Sequence, residues 1–159
     1  MAECEVRPFV IGDARAVFEL GKQFVSISPV WGDLEPNEDG AYRWLEQFDT
    51  ALSRTGSTAG WVATYGGEIV AFLGAVIYEK PFLYGLIACD EALYVTPDVR
   101  GAGAGEWLVD EYVEWATALG CKKILLCNTT GVDPARTTAF YGKCGFKPIG
   151  TNTMLVPGD

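Results

Sequence analysis

Histidine is absent, and several chemistries go with it. Zinc sites built on imidazole and every Ser-His or Cys-His nucleophile arrangement are excluded. Proton transfer therefore falls to carboxylates, tyrosine, thiols, lysine or water. Paired cysteine motifs are missing too: Cys4, Cys89, Cys121, Cys127 and Cys144 are odd in number and scattered, and none forms a C-x-x-C pair. They read as reduced, mostly buried thiols, and no metal site is expected. No apolar run reaches the ~18 residues that a membrane span needs. The start, Met1-Ala2-Glu3-Cys4-Glu5, lacks the basic-then-apolar order of a secretory signal, so the expectation is a cytoplasmic protein without a membrane partner. Basic side chains are scarce, 12 against 21 acidic ones, for a net charge of -9. Such a field repels polyanions, which makes nucleic acid a poor partner, and it concentrates cations near any acidic cleft. That hints at an amine.

An apolar share of 49% over 159 residues suits one continuous core, and the chain is read as a single domain over 1–159. A first strand is expected over residues 3–8. Ala16, Val17, Leu20, Phe24 and Ile27 then recur at helical spacing behind Asp13, a candidate N-cap. A second helix is expected from Gly40 to Ser53, after an acidic loop that begins at Trp31. Two β-rich runs, Trp61 to Tyr65 and Ile69 to Tyr78, flank Gly66-Gly67 as a hairpin. Leu86 to Val95 reads as a strand, Gly103 to Leu119 as an amphipathic helix closed by Gly120, and Lys123 to Asn128 as a buried strand. A short helix from Pro134 to Lys143 and two short strands within Phe146 to Val156 complete the order. The sum is an α/β (α+β) fold with a mixed sheet and helices on both faces.

The chemistry concentrates between the fourth strand and the long helix, in Arg100-Gly101-Ala102-Gly103-Ala104-Gly105. Three glycines let the backbone turn with amides pointing into one space, and the absent Cβ atoms let anion oxygens approach. The helix N-terminus adds its positive end and Arg100 a full charge. A P-loop would need G-K-[ST], and a dinucleotide fold would place its glycines after the first strand, so neither applies.

These residues resemble the Q/R-x-x-G-x-G/A pyrophosphate signature of the GNAT superfamily of N-acetyltransferases. A second segment, Ala139-Phe140-Tyr141-Gly142-Lys143-Cys144-Gly145-Phe146, is similar to that family's F-Y-x-K-x-G-F stretch. The resemblance covers essentially the whole chain. It implies a mostly antiparallel sheet of six to seven strands, splayed between strands 4 and 5. It also implies acetyl-CoA as cofactor, bound by Leu93, Tyr94 and Val95 along the strand, by Arg100, Gly101, Ala102, Gly103, Ala104 and Gly105 at the pyrophosphate, and by Tyr141. The activity implied is transfer of an acetyl group to a primary amine within a ternary complex, and dimers are common among similar proteins.

A lysine-like amine is almost wholly protonated at neutral pH, so a base is required. The resemblance suggests Glu91, with Asp90 and Glu79 as alternatives. Strict alternation would place Asp90 with Ala92 and Tyr94 and Glu91 with Leu93 and Val95, although a bulge would reverse this. Tyr141 is the expected proton donor to the departing thiolate. For the acceptor, Trp31, Asp33, Glu35, Glu38, Asp39, Tyr42 and Trp44 mix rings and acids in a way that suits a cationic small amine or a peptide amine. A rival reading is a catalytically silent acyl-CoA-binding module.

Overall fold

The computed structural model describes residues 3–158. The chain runs β1 (Cys4–Pro8), α1 (Ala14–Ile27), α2 (Glu38–Leu45), β2 (Thr58–Tyr65), β3 (Glu68–Glu79), β4 (Leu86–Val95), α3 (Ala104–Ala118), β5 (Lys123–Leu125) and α4 (Pro134–Lys143). The strands form one sheet in the order β1-β2-β3-β4-β5. The first four pair antiparallel, and β5 alone runs parallel to β4. No helix among the described residues is long and apolar enough to cross a membrane.

Each face of the sheet carries its own core. On one, alanines of the strands (Ala63, Ala71, Ala75, Ala88) leave room for the large side chains of α3, and Leu108, Val109 and Tyr112 are fully buried there. On the other face, Phe9, Phe48 and Phe72 pack with Val17 of α1 and Leu45 of α2. Close approach explains two glycines: a Cβ on Gly60 would lie 2.8 Å from Phe48, and one on Gly74 would lie 2.9 Å from the Phe72 ring. The β2–β3 hairpin turns on Gly66 and Gly67 with φ of 60° and 84°, the two positive values that a tight right-twisting hairpin needs.

Several expectations are corrected. The sheet has five strands among the described residues, not six to seven, because residues 146–156 form none. Pro148 offers no amide there, and Ile149 and Leu155 stay exposed, so the segment finds no partner edge. The fifth strand stops at Leu125 instead of reaching Asn128, since the Cys127 amide turns to the Asp90 carboxylate. Helix α2 starts at Glu38, where the Asn37 side chain accepts from the Gly40 amide, and it ends well before Ser53. Asp49 redirects the chain by accepting from the amides of Ile11 and Ala51. Asp13 makes no side-chain cap to α1; its carboxylate instead takes both Nη groups of Arg7, at 2.7 and 2.8 Å, and the Val10 amide.

Candidate active site

Strands β4 and β5 stay together only from Ile87–Lys123 to Cys89–Leu125 and then part. The gap opens into a cavity of about 710 Å³, bounded on the α1 side by Phe24 and on the far side by α4. A β-bulge marks the point where it opens. Ala75 pairs with Asp90 and Gly74 with Ala92, so Glu91 is the extra residue with no partner on β3.

The bulge reverses the alternation expected from a regular strand. Leu93 and Val95 pack with the α3-side core, while Ala92 joins the α1 and α2 side and Tyr94 stacks on Phe24 at 5.2 Å between ring centres. Asp90, opposite Ala75, falls on the α3 side with Ala88, away from Ala92 and Tyr94. Asp90 is 7% exposed, and Glu91 is exposed; both line the cavity. Burial is the main reason that the Asp90 carboxyl is pushed up to about 6, with the neighbouring Glu91 charge adding to it and the Cys127 amide, 2.7 Å away, opposing it. Glu79, the third carboxylate considered, ends β3 and does not line the cavity.

At the other end of the gap stands the glycine turn. Gly101 and Gly103 have φ of 93° and 89°, values that any residue with a Cβ adopts only under strain. Among the described residues, the amides of Gly101, Gly103, Ala104, Gly105 and Glu106 have no hydrogen-bond partner, and α3 carries no side-chain cap. The Ala102 amide is the exception, donating to the Val99 carbonyl at 3.1 Å. No atom lies within 4 Å of where a Gly101 Cβ would sit, so the turn is open at Gly101. Gly105 is glycine for a different reason: a Cβ there would lie 3.0 Å from the Phe140 ring, which locks α3 against α4. Arg100 reaches back to donate through Nε to the Val95 carbonyl at 3.1 Å, which holds the guanidinium beside the turn.

Leu93, Tyr94, Val95, Arg100, Gly101, Gly105 and Tyr141 all line the cavity, whereas Ala102, Gly103 and Ala104 sit in the turn behind it. Tyr141 of α4 donates its hydroxyl to the Cys127 carbonyl at 2.9 Å, and burial, seconded by the Asp90 charge, pushes its pKa above the ordinary phenol value. It therefore remains a proton-bearing phenol at neutral pH. Of the aromatic and acidic residues considered for the acceptor, only Trp31 lines the cavity. Tyr42 instead hydrogen-bonds Glu38, and Trp44 packs edge-to-face against Phe48.

Two further features line the wall. Arg136 and Lys143 lie on one side of α4 with Phe140 between them; the signal was their helical spacing in a chain that has few cations. Asn128 donates through Nδ2 to the Pro134 carbonyl and to Thr138, while its buried Oδ1 has no partner among the described residues. That oxygen is an acceptor available to a ligand N–H.

Comparison with known proteins shows the family and the fold. Residues 24–146 match the family described as Acetyltransferase (GNAT) family. Glucosamine 6-phosphate N-acetyltransferase 1 of Oryza sativa subsp. japonica is 37% identical over 79 residues, which is 48% of this chain and 45% of that protein. The match thus spans about half the length of that curated relative. Among solved structures, glucosamine-6-phosphate N-acetyltransferase of Arabidopsis thaliana superposes with a TM-score of 0.74 at 22% identity, covering 97% of this chain and 98% of that one. A putative acetyltransferase of Agrobacterium tumefaciens gives 0.71 at 27% identity over 96% and 99% of the two chains. AAC(6')-Iy, solved with the bisubstrate analogue CoA-S-monomethyl-acetylneamine, gives 0.74 at 17% identity over 97% of each.

Proposed function

Because the chain belongs to the acetyltransferase (GNAT) family, we propose that it transfers an acetyl group from acetyl-CoA to the primary amine of a small molecule. One observation carries the reading: at and just before the N-terminus of α3, the amides of Gly101, Gly103, Ala104, Gly105 and Glu106 have no hydrogen-bond partner among the described residues, and Arg100, Gly101, Gly105 and Glu106 line the cavity. Amides, helix end and Arg100 together make an anion site of the size and polarity that a pyrophosphate fits. Arg136 and Lys143 would add positive charge along the same wall. The splayed edge of β4 from Leu93 to Val95 leaves backbone groups for the pantetheine arm, and the Asn128 Oδ1 offers an acceptor for one of its amides.

Bound acetyl-CoA would supply an activated thioester carbonyl. Glu91 is then the base: exposed, unpaired at the bulge and on the cavity wall, it takes the ammonium proton directly or through one water. Tyr141 would hold its own proton for the departing thiolate, whose conjugate acid resembles a cysteine near 8.5, and would recover one from the second proton that the attacking nitrogen sheds. A second assignment of the base has its own support. Asp90 lies on the same wall, and a carboxyl pushed up to about 6 is better matched to proton transfer near neutrality.

On the acceptor side, Trp31 and the carboxylates favour a cation. A relative named for glucosamine 6-phosphate, and a structural neighbour, AAC(6')-Iy, named as an aminoglycoside N-acetyltransferase, make amino sugars the first compounds to try. The test is calorimetry with acetyl-CoA followed by a thiol-release assay over a panel of amino sugars, polyamines and amino acids. Binding with turnover on at least one amine is expected. Binding with none would favour a silent acyl-CoA-binding module, and no binding would refute both.

A further inference from the structure

Two thiols that take no part in the proposed acetyl transfer meet where the sheet opens. Cys89 is the last β4 residue paired with β5, opposite Leu125, and Cys127 lies two residues beyond that partner. Their sulfurs are 3.5 Å apart, and both side chains line the cavity wall. No other cysteine, among the described residues, has a thiol within hydrogen-bonding reach. The surrounding backbone holds the pair in register: Cys89 is paired with Val76 on β3, and the Cys127 amide is held by Asp90.

We propose that Cys89 and Cys127 form an oxidisable dithiol site whose substrate class is hydroperoxides. The Cys89 thiolate attacks one peroxide oxygen, forming an S–O bond as the O–O bond breaks and water or an alcohol leaves. The Cys127 sulfur, losing its proton, then attacks the Cys89 sulfur; the S–S bond forms and the S–O bond breaks, with a second water leaving. Two thiols give up two electrons and two protons, which reduce hydrogen peroxide to two waters.

Either sulfur can donate in the contact between them; with Cys127 as donor, Cys89 is the attacking thiol. Accepting from Cys127 draws the Cys89 thiol below its ordinary range, and burial with the Asp90 and Glu91 charges works against that. Cys127, as donor, is pushed up instead, which suits a resolving thiol. Asp90 brings a third ligand atom within 4.8 Å of both sulfurs. Its Oδ1 is already engaged by the Cys127 amide, which leaves the two thiols as the reactive unit.

A disulfide holds its sulfurs about 2.05 Å apart, so oxidation closes the 3.5 Å between them and pins the root of the β4–β5 gap. The gap is where the donor arm is proposed to lie, and oxidation should weaken coenzyme A binding. That consequence rests on the proposed function; the disulfide does not.

The experiment treats the full chain with stoichiometric hydrogen peroxide, alkylates the remaining thiols and maps the peptides. A Cys89–Cys127 cross-link that dithiothreitol reverses is expected, with Cys4, Cys121 and Cys144 still alkylated. Cys127→Ser should stop at a Cys89 sulfenic acid captured by dimedone, and Cys89→Ser should yield no cross-link; Cys→Ala variants serve if either serine variant folds poorly. Both thiols remaining alkylatable, cross-links to other cysteines, or zinc uptake by thiols that peroxide leaves unoxidised would each overturn the site. Titration of both forms with coenzyme A should show affinity reduced about tenfold or more on oxidation. Equal affinity with the cross-link present overturns the effect of pinning the gap. Absence of binding in both forms, with the cross-link present, refutes the proposed function and supports the dithiol alone.

Discussion

Replacing Asp90 by asparagine isolates the cost of burying a charge in the wall of the gap. The carboxyl is 7% exposed, and burial pushes it from 3.8 up to about 6. A displacement of that size, at about 1.4 kcal/mol per pH unit, means that ionised Asp90 destabilises the folded chain by about 3 kcal/mol. The direction with pH is definite. In the unfolded chain the group ionises near 3.8 and in the folded chain near 6, so the folded state holds the proton longer. Stability is therefore undiminished below the lower value, falls as pH rises between the two, and levels off above the higher one. The substituted amide would keep an oxygen for the Cys127 N–H, now 2.7 Å from Oδ1, but its own NH₂ would need an acceptor, which offsets about 1 kcal/mol. Asp90→Asn should thus stabilise the chain by about 1 to 3 kcal/mol at pH 7.5 and hardly at all, or negatively, at pH 3.5. Urea unfolding at several pH values reads this directly, and melting temperature should rise by roughly 2 to 4 °C for each kcal/mol at this chain length. A difference between variant and parent that does not change with pH would refute the argument. Activity of the same variant decides between carboxylates: if Glu91 is the base, Asp90→Asn retains turnover.

Other substitutions test the remaining parts of the site. Glu91→Gln should lower turnover by on the order of 10² to 10⁴ with unfolding unchanged, because Glu91 is exposed and pairs with nothing on β3; an unchanged rate would reject it as the base. Tyr141→Phe keeps the ring beside Phe140 and Phe146 and removes only the hydroxyl, so kcat should fall roughly tenfold to a hundredfold while coenzyme A affinity holds. Gly101→Ala meets no clash but forces a Cβ onto a φ of 93°; it should cost about 1 to 2 kcal/mol in stability and weaken coenzyme A binding by calorimetry. Arg100→Ala should weaken that binding and flatten its dependence on salt, since one full charge leaves the turn.

The glycine turn was legible because its requirements are local. Gly101 and Gly103 need positive φ, and the amides that follow need only a helix start to be left unpartnered. The Gly66-Gly67 hairpin, the β4 strand and the long α3 helix were readable for the same reason: turn chemistry and periodicity act over a few neighbouring residues. Asp13 shows where that logic stops. Its position before α1 looked like a cap, yet Arg7 on β1 claimed the carboxylate.

The absence of histidine, a glycine turn late in the chain with a helix start behind it, and a mixed sheet with helices on both faces were determined by the amino-acid order alone. Tertiary structure decided which carboxylate faces which way, since the bulge at Glu91 depends on how β3 pairs with β4. It also decided the strand count, because a segment such as 146–156 becomes a strand only where a sheet edge receives it. Most of all it decided that Cys89 and Cys127, 38 residues apart, would touch. Pairing, burial and approach of distant groups are properties of the assembled chain, and no local pattern encodes them.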